Sequence, residues 1–174
     1  MKKLHHDKLI QLYAVCMEPP DQPIYIITEL MCNGIVLDYL RDGPGQELKL
    51  PTLVNMAAQI TFGMAYLEHE HYIHRDSATR IVIVAENGIV KIANFGLAHI
   101  ISEGTYVALA GEIFPIKWTA PEAAICDKFT IKSDVWLYEI LLYELVTYGQ
   151  VPYPGLKTKK IIIIINKNTY SYVL

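Results

Sequence analysis

His74, Arg75 and Asp76 set an imidazole, a guanidinium and a carboxylate on three successive positions, side-chain types that move protons and hold anions. Eighteen residues after Asp76 comes Asn94-Phe95-Gly96, and Ala120-Pro121-Glu122 follows further on. Taken one residue at a time, the plainer reading is the commoner one. An aspartate on a loop is usually a turn residue, a core histidine is usually there to be hydrogen-bonded, and a single tyrosine such as Tyr106 is usually just exposed. The order of the three triplets carries more than any one member. Cys16, Cys32 and Cys126 lack the close pairs that zinc or a redox C-x-x-C needs, so they are expected to be reduced and to serve packing.

The elements that must position these groups are legible from periodicity. Residues 9–15 and 24–27 are short β-rich apolar runs separated by a proline-rich turn at 19–23, which predicts a hairpin. A short helix is expected within 30–41, stopped by Gly43-Pro44-Gly45. From Pro51, the residues Leu53, Met56, Ala57, Ile60, Met64 and Leu67 recur at steps of three and four, predicting an amphipathic helix to about Glu70. Asn87-Gly88 between 81–84 and 89–92 signals a second hairpin. Residues 97–131 read as loop. Ser133 is the expected N-cap of a helix over 134–148, with Gly149 as its stop. That helix is apolar nearly all round and is expected to be the central buried one. The tail, 157–174, is low-complexity, with neither a helical nor an alternating pattern.

Length and composition bound the function classes. A chain of 174 residues suffices for one domain with a real core. Fifteen Lys and Arg against 18 Asp and Glu give a net charge of −3, which disfavours nucleic acid as a partner. Hydrophobic residues make up 52% and charged residues 19%, on the apolar side of typical soluble domains. No apolar run reaches the roughly 18 residues of a membrane span, and polar residues break up the stretch after Met1-Lys2-Lys3, so no signal peptide is expected and a cytoplasmic protein is.

The triplets occur in the order of the protein-kinase catalytic loop, metal-binding element and Ala-Pro-Glu element. The stretch from Met1 to about Gly155 resembles the Src/Frk-type non-receptor tyrosine kinases, most closely in residues 1–4, 9–15, 23–29, 114–122 and 129–136. Lys117-Trp118 ahead of Thr119-Ala120-Pro121-Glu122 is the tyrosine-kinase form. The resemblance makes Asp76 the acceptor of the substrate tyrosine's proton and Arg75 the anchor of a phosphorylated activation loop, with His74 beside them. Tyr106 matches the autophosphorylated tyrosine. Thr28 matches the gatekeeper, residues Glu29 to Met31 the hinge, and Ile83 the adenine region. Met1, Leu12, His74 and Phe95 match the hydrophobic stack linking the lobes, and Asp134 the carboxylate that supports the catalytic loop.

The departures lie where the chemistry is. Asn94 replaces the metal-binding aspartate, and Ile81 stands in place of the asparagine that holds the second metal, so a hard Mg²⁺ ion loses both ligands. Ser77-Ala78-Thr79-Arg80 stands for Leu-Ala-Ala-Arg. His99 replaces an arginine, and no Lys or Arg occurs between Asn94 and Lys117, so a phosphorylated Tyr106 is expected to find few partners. Leu137-Tyr138-Glu139 replaces Ser-Phe-Gly, which would put a glutamate inside the buried helix, where it must snorkel, take up a proton or cost several kcal/mol.

Together these imply an α+β, protein-kinase-like fold, present in part and truncated at both ends. Residues 1–155 form a partial kinase domain, with 1–31 the N-lobe remnant and hinge and 32–155 the C-lobe remnant, followed by a 156–174 tail. The Gly-rich loop and the N-lobe lysine have no counterpart. The family's reaction moves the γ-phosphate of ATP, with Mg²⁺, to protein tyrosine, and this chain is expected to be impaired or inactive in it. Two alternatives stand: a working tyrosine kinase seen as a partial sequence, with protein tyrosine substrates, and a non-catalytic pseudokinase module that binds protein partners through its C-lobe.

Overall fold

The computed structural model describes residues 4–17, 23–76, 78–101, 104–109, 112, 114–158 and 160–164. Met1, Ser77, residues 18–22, on which the expected turn mostly falls, and the end of the tail lie outside these. The described chain runs β1 (Leu12–Cys16), β2 (Tyr25–Thr28), α1 (Val36–Arg41), α2 (Leu50–His69), β3 (Tyr72–Ile73), β4 (Val82–Val84), β5 (Val90–Ile92), β6 (His99–Ile100), β7 (Tyr106–Val107), α3 (Pro121–Cys126), β8 (Lys128–Phe129) and α4 (Ile131–Val146). Among the described residues four two-stranded antiparallel pairs form: β1 with β2, β3 with β6, β4 with β5 and β7 with β8. Short strand pairs ahead of and between helices give the mixed architecture of a partial kinase-like fold.

The two expected hairpins are present. Leu12 pairs with Thr28 and Cys16 with Tyr25, with an irregularity between Leu12 and Ala14. In the second, Asn87 and Gly88 both take positive φ, at 57° and 70°. Ile89 N–H donates to Glu86 O at 3.2 Å. That is the primed turn whose twist suits a hairpin.

The main core joins α1, α2, β4, β5 and α4 through Val36, Leu40, Leu53, Met56, Ile60, Leu67, Val82, Ile92, Leu141 and Leu145. Helix α2 follows the predicted period, its buried residues Leu53, Met56, Ile60, Gly63 and Leu67 forming one stripe. At Gly63 a Cβ would meet Ile92 Cδ1 at 2.7 Å and Lys8 O at 3.0 Å, so only glycine lets α2 lie this close to β5. A smaller core of Ile73, Ile101, Ala120, Ala123 and Phe129 sits under the loop region.

Several expectations are corrected. Thr130, not Ser133, is the N-cap of α4; Ser133 N–H donates to Thr130 Oγ1 at 3.3 Å and Thr130 N–H to Ser133 Oγ at 2.9 Å, a reciprocal box that places Ser133 in the first turn. Residues 97–131 are not all loop, because Pro121 opens α3 at a position where its missing N–H costs nothing. Helix α4 is not buried all round: Val135 is 53% exposed, and Glu139 is exposed too. Cys16, Cys32 and Cys126 are all exposed, so packing does not account for them. In the tail, residues 158 and 160–164 are helical and Ile161 is buried.

Candidate functional site

The loop that carries His74, Arg75 and Asp76 leaves β3 and is held by α4 from below. Asp134 sits in the first turn of α4, where the capping box fixes the helix start. Its Oδ2 accepts the backbone N–H of His74 at 2.6 Å and its Oδ1 that of Arg75 at 3.0 Å. Arg75 needs this support, since its φ of 66° lies in the left-handed region that a non-glycine residue seldom adopts. Burial pushes the Asp134 carboxyl up to about 6, opposed by the two N–H groups and by the Arg75 charge.

His74 is fully enclosed. Nε2 donates to Ala93 O at 3.0 Å and Nδ1 faces Asp76 N–H at 3.4 Å, so the ring is the neutral tautomer protonated at Nε2. Burial lowers its pKa, and the ring packs 5.3 Å from that of Phe95. The structure thus brings together His74 and Phe95 of the expected stack. Leu12 is half-buried at the start of β1, opposite Thr28. Asp76 is 8% exposed, and its Oδ1 accepts from Arg80 Nη2. The Arg80 guanidinium lies 4.8 Å over the Trp118 ring, so Asp76 is tied to the segment ahead of Ala120-Pro121-Glu122 through one arginine.

Arg75 reaches the other way, into the loop that carries Tyr106. Its Nε donates to Leu97 O at 2.6 Å, Nη2 to His99 Nδ1 at 2.9 Å and Nη1 to Glu112 Oε2 at 2.6 Å. A guanidinium has only donors, so His99 Nδ1 is the acceptor in that contact. The guanidinium also lies 4.2 Å over the ring of Tyr106. The Tyr106 hydroxyl donates to Glu112 Oε1 at 2.6 Å. That bond raises the Tyr106 pKa, while Tyr106 and Arg75 together lower Glu112 to about 2.

The residues expected to form the hinge lie at the mouth of the first hairpin. Glu29 accepts Gln11 N–H at 2.7 Å and pairs with Lys91 Nζ at 2.7 Å, fastening the end of the hairpin to β5. Met31 packs on the main core, as does Ile83, which bridges to Ile35. Thr28 is exposed, its hydroxyl donating to Glu29 O at 3.3 Å.

The two positions that the resemblance assigns to the metal, Ile81 and Asn94, do not fit a divalent cation. Ile81 is 1% exposed and belongs to the main core, where it offers no lone pair. Asn94 is an exposed neutral amide at φ 56°. Among the described residues no group of three His, Cys, Asp or Glu comes together as a metal site. Mg²⁺ binds through carboxylates and phosphates, and neither position supplies a carboxylate.

Sequence reasoning missed Glu112 and Glu144. Glu112 stands in the run free of Lys and Arg, but no spacing rule ties an acid there to Arg75, 37 positions away. Glu144 was hidden inside an apolar helix and accepts the backbone N–H of Thr79 at 2.9 Å. Tyr138, one of the three replaced residues, is explained: its hydroxyl donates to Ala57 O at 3.1 Å and lies 2.6 Å from Thr61 Oγ1, stitching α4 to α2.

The family model for protein tyrosine and serine/threonine kinase matches residues 1–172. The chain is 56% identical over 167 residues to Tyrosine-protein kinase SRK2 of Spongilla lacustris, an alignment that covers 96% of this chain and 45% of that protein. The chain therefore spans less than half the length of this curated relative. No helix among the described residues is long and apolar enough to cross a membrane.

Proposed function

The chain belongs to the protein tyrosine and serine/threonine kinase family, and from that premise we propose that it is a tyrosine-kinase-like domain whose phosphoryl transfer is impaired or absent. The family uses ATP and Mg²⁺ on protein substrates. The observation that carries the reading is Ile81, enclosed in the core at a position where the chemistry requires a metal ligand. Phosphoryl transfer depends chiefly on positioning and on charge neutralisation by metal, and the proton acceptor is one part among several. Asp76 is retained, but removing one such electrostatic contact typically costs on the order of 10²–10³ in rate. With Asn94 and Ile81 together, turnover falls to background, although losses within one unit do not simply multiply. The role left to the chain is that of a pseudokinase module, cytoplasmic and engaging protein partners through its helical part.

A second reading is favoured by one feature, the intact support of the catalytic loop by Asp134. In that reading the residues are part of a longer, working tyrosine kinase. A radiolabelled ATP assay with Mg²⁺ or Mn²⁺ on a poly-Glu-Tyr substrate separates the two. The expected result is no incorporation above background; incorporation that disappears in Asp76→Asn overturns the inactive reading.

A further inference from the structure

The side chain of Arg75 is 4% exposed, and each of its three guanidinium nitrogens donates to an acceptor on this chain. A cation taken out of water in this way needs an anion in contact with it. Glu112 is that anion among the described residues, and the same carboxylate also takes the Tyr106 hydroxyl proton in a hydrogen bond. The Glu112 backbone N–H donates to Leu109 O at 3.1 Å, and its Oε1 accepts the Leu109 N–H at 3.4 Å. Tyr106 is clamped from its other sides as well, by the His99 ring at 4.2 Å, by Phe129 at 6.5 Å and by β-pairing to Phe129. The Tyr106 loop is thus joined to the segment that carries Arg75 through a carboxylate.

We propose that Glu112 is a built-in anion for Arg75, which closes the Tyr106 loop on the catalytic segment without phosphorylation and withholds the Tyr106 hydroxyl from modification. A phosphoryl group on that hydroxyl and the Glu112 carboxylate carry the same sign of charge and compete for one guanidinium, so modification requires Glu112 to leave first. Phosphoryl transfer by this chain has no part in the argument, and the radiolabel assay can come out either way without touching it.

The test uses the full chain and inorganic phosphate as the probe, with chloride at matched ionic strength as the reference. In Glu112→Gln the loop loses its anion. Amide exchange across 104–109 speeds up at least tenfold relative to wild type, and phosphate reverses it and raises the thermal midpoint by about 3 °C. The wild type shows no phosphate response, and Glu112→Gln combined with Arg75→Gln loses the response. As a second readout, an added active tyrosine kinase with ATP modifies Tyr106 at least tenfold faster in Glu112→Gln. There the O–P bond forms at Tyr106 Oη, ADP leaves, and the phenolic proton goes to the added kinase's base. Equal exchange and equal modification in wild type and Glu112→Gln overturn the proposal. If Glu112→Gln does not fold cooperatively, the wild-type arm decides alone: stabilisation of the wild type by phosphate beyond chloride means that Arg75 is open to anions, and overturns it.

Discussion

Glu144, 2% exposed on α4, accepts the backbone N–H of Thr79, 65 residues earlier in the chain. The bond fastens the turn after the loop of His74, Arg75 and Asp76 to the helix beneath it. Glu144→Ala leaves that buried N–H unsatisfied and opens a small void, and is expected to cost about 2–3 kcal/mol. Glu144→Gln keeps an acceptor oxygen and is expected to cost less than about 1 kcal/mol. Denaturant melts of the three proteins check the order; equal midpoints for both variants count against the assignment.

The other glutamate of the helix behaves differently. Glu139 is exposed, so the burial penalty expected for it does not arise. Glu139→Gly is therefore expected to lower stability by about 0.5–1 kcal/mol, the helix-propensity cost of glycine. A gain in stability in the same melts would mean that the side chain is enclosed after all.

Asp134 gives a pH dependence with a definite sign. Its carboxyl is raised from 3.8 to about 6, so the folded chain holds the proton more tightly than the unfolded chain. The stabilisation this brings is fully present below the unfolded value and is lost as pH rises through the folded one. The shift corresponds to at most about 3 kcal/mol. Measured between about pH 4 and 7, the stability of wild type should fall relative to Asp134→Asn, which has nothing to titrate there. A difference that stays flat across that window shows that the two N–H donors outweigh burial.

Restoring the metal ligands is expected to fail on packing alone. Ile81→Asn puts an amide into the main core and should cost about 2–4 kcal/mol in a denaturant melt. Asn94→Asp, at an exposed position, should be within about 0.5 kcal/mol of wild type. With both changes in place, Mg²⁺ added to ATP is expected to shift the thermal midpoint no more than ATP alone does. A Mg²⁺-dependent shift in the double variant would show that a site can still be built.

Local periodicity and turn chemistry determined the scaffold in the sequence. The stripe of α2, the Asn87-Gly88 turn and the paired apolar runs of β1 and β2 each depend on neighbours a few residues apart, and such signals survive in a bare sequence. The triplet His74, Arg75 and Asp76 likewise announced itself by order and spacing. What only the tertiary structure decided was which charges meet. Whether Glu139 or Glu144 is enclosed depends on which face of α4 the neighbouring elements cover, and an apolar helix does not encode that in its own period. The closure of Arg75 by Glu112 joins positions 37 apart across two loops, where no repeat or hairpin fixes a register, so it exists only once Phe129 and Tyr106 have packed around the guanidinium and Asp134 holds the Arg75 backbone.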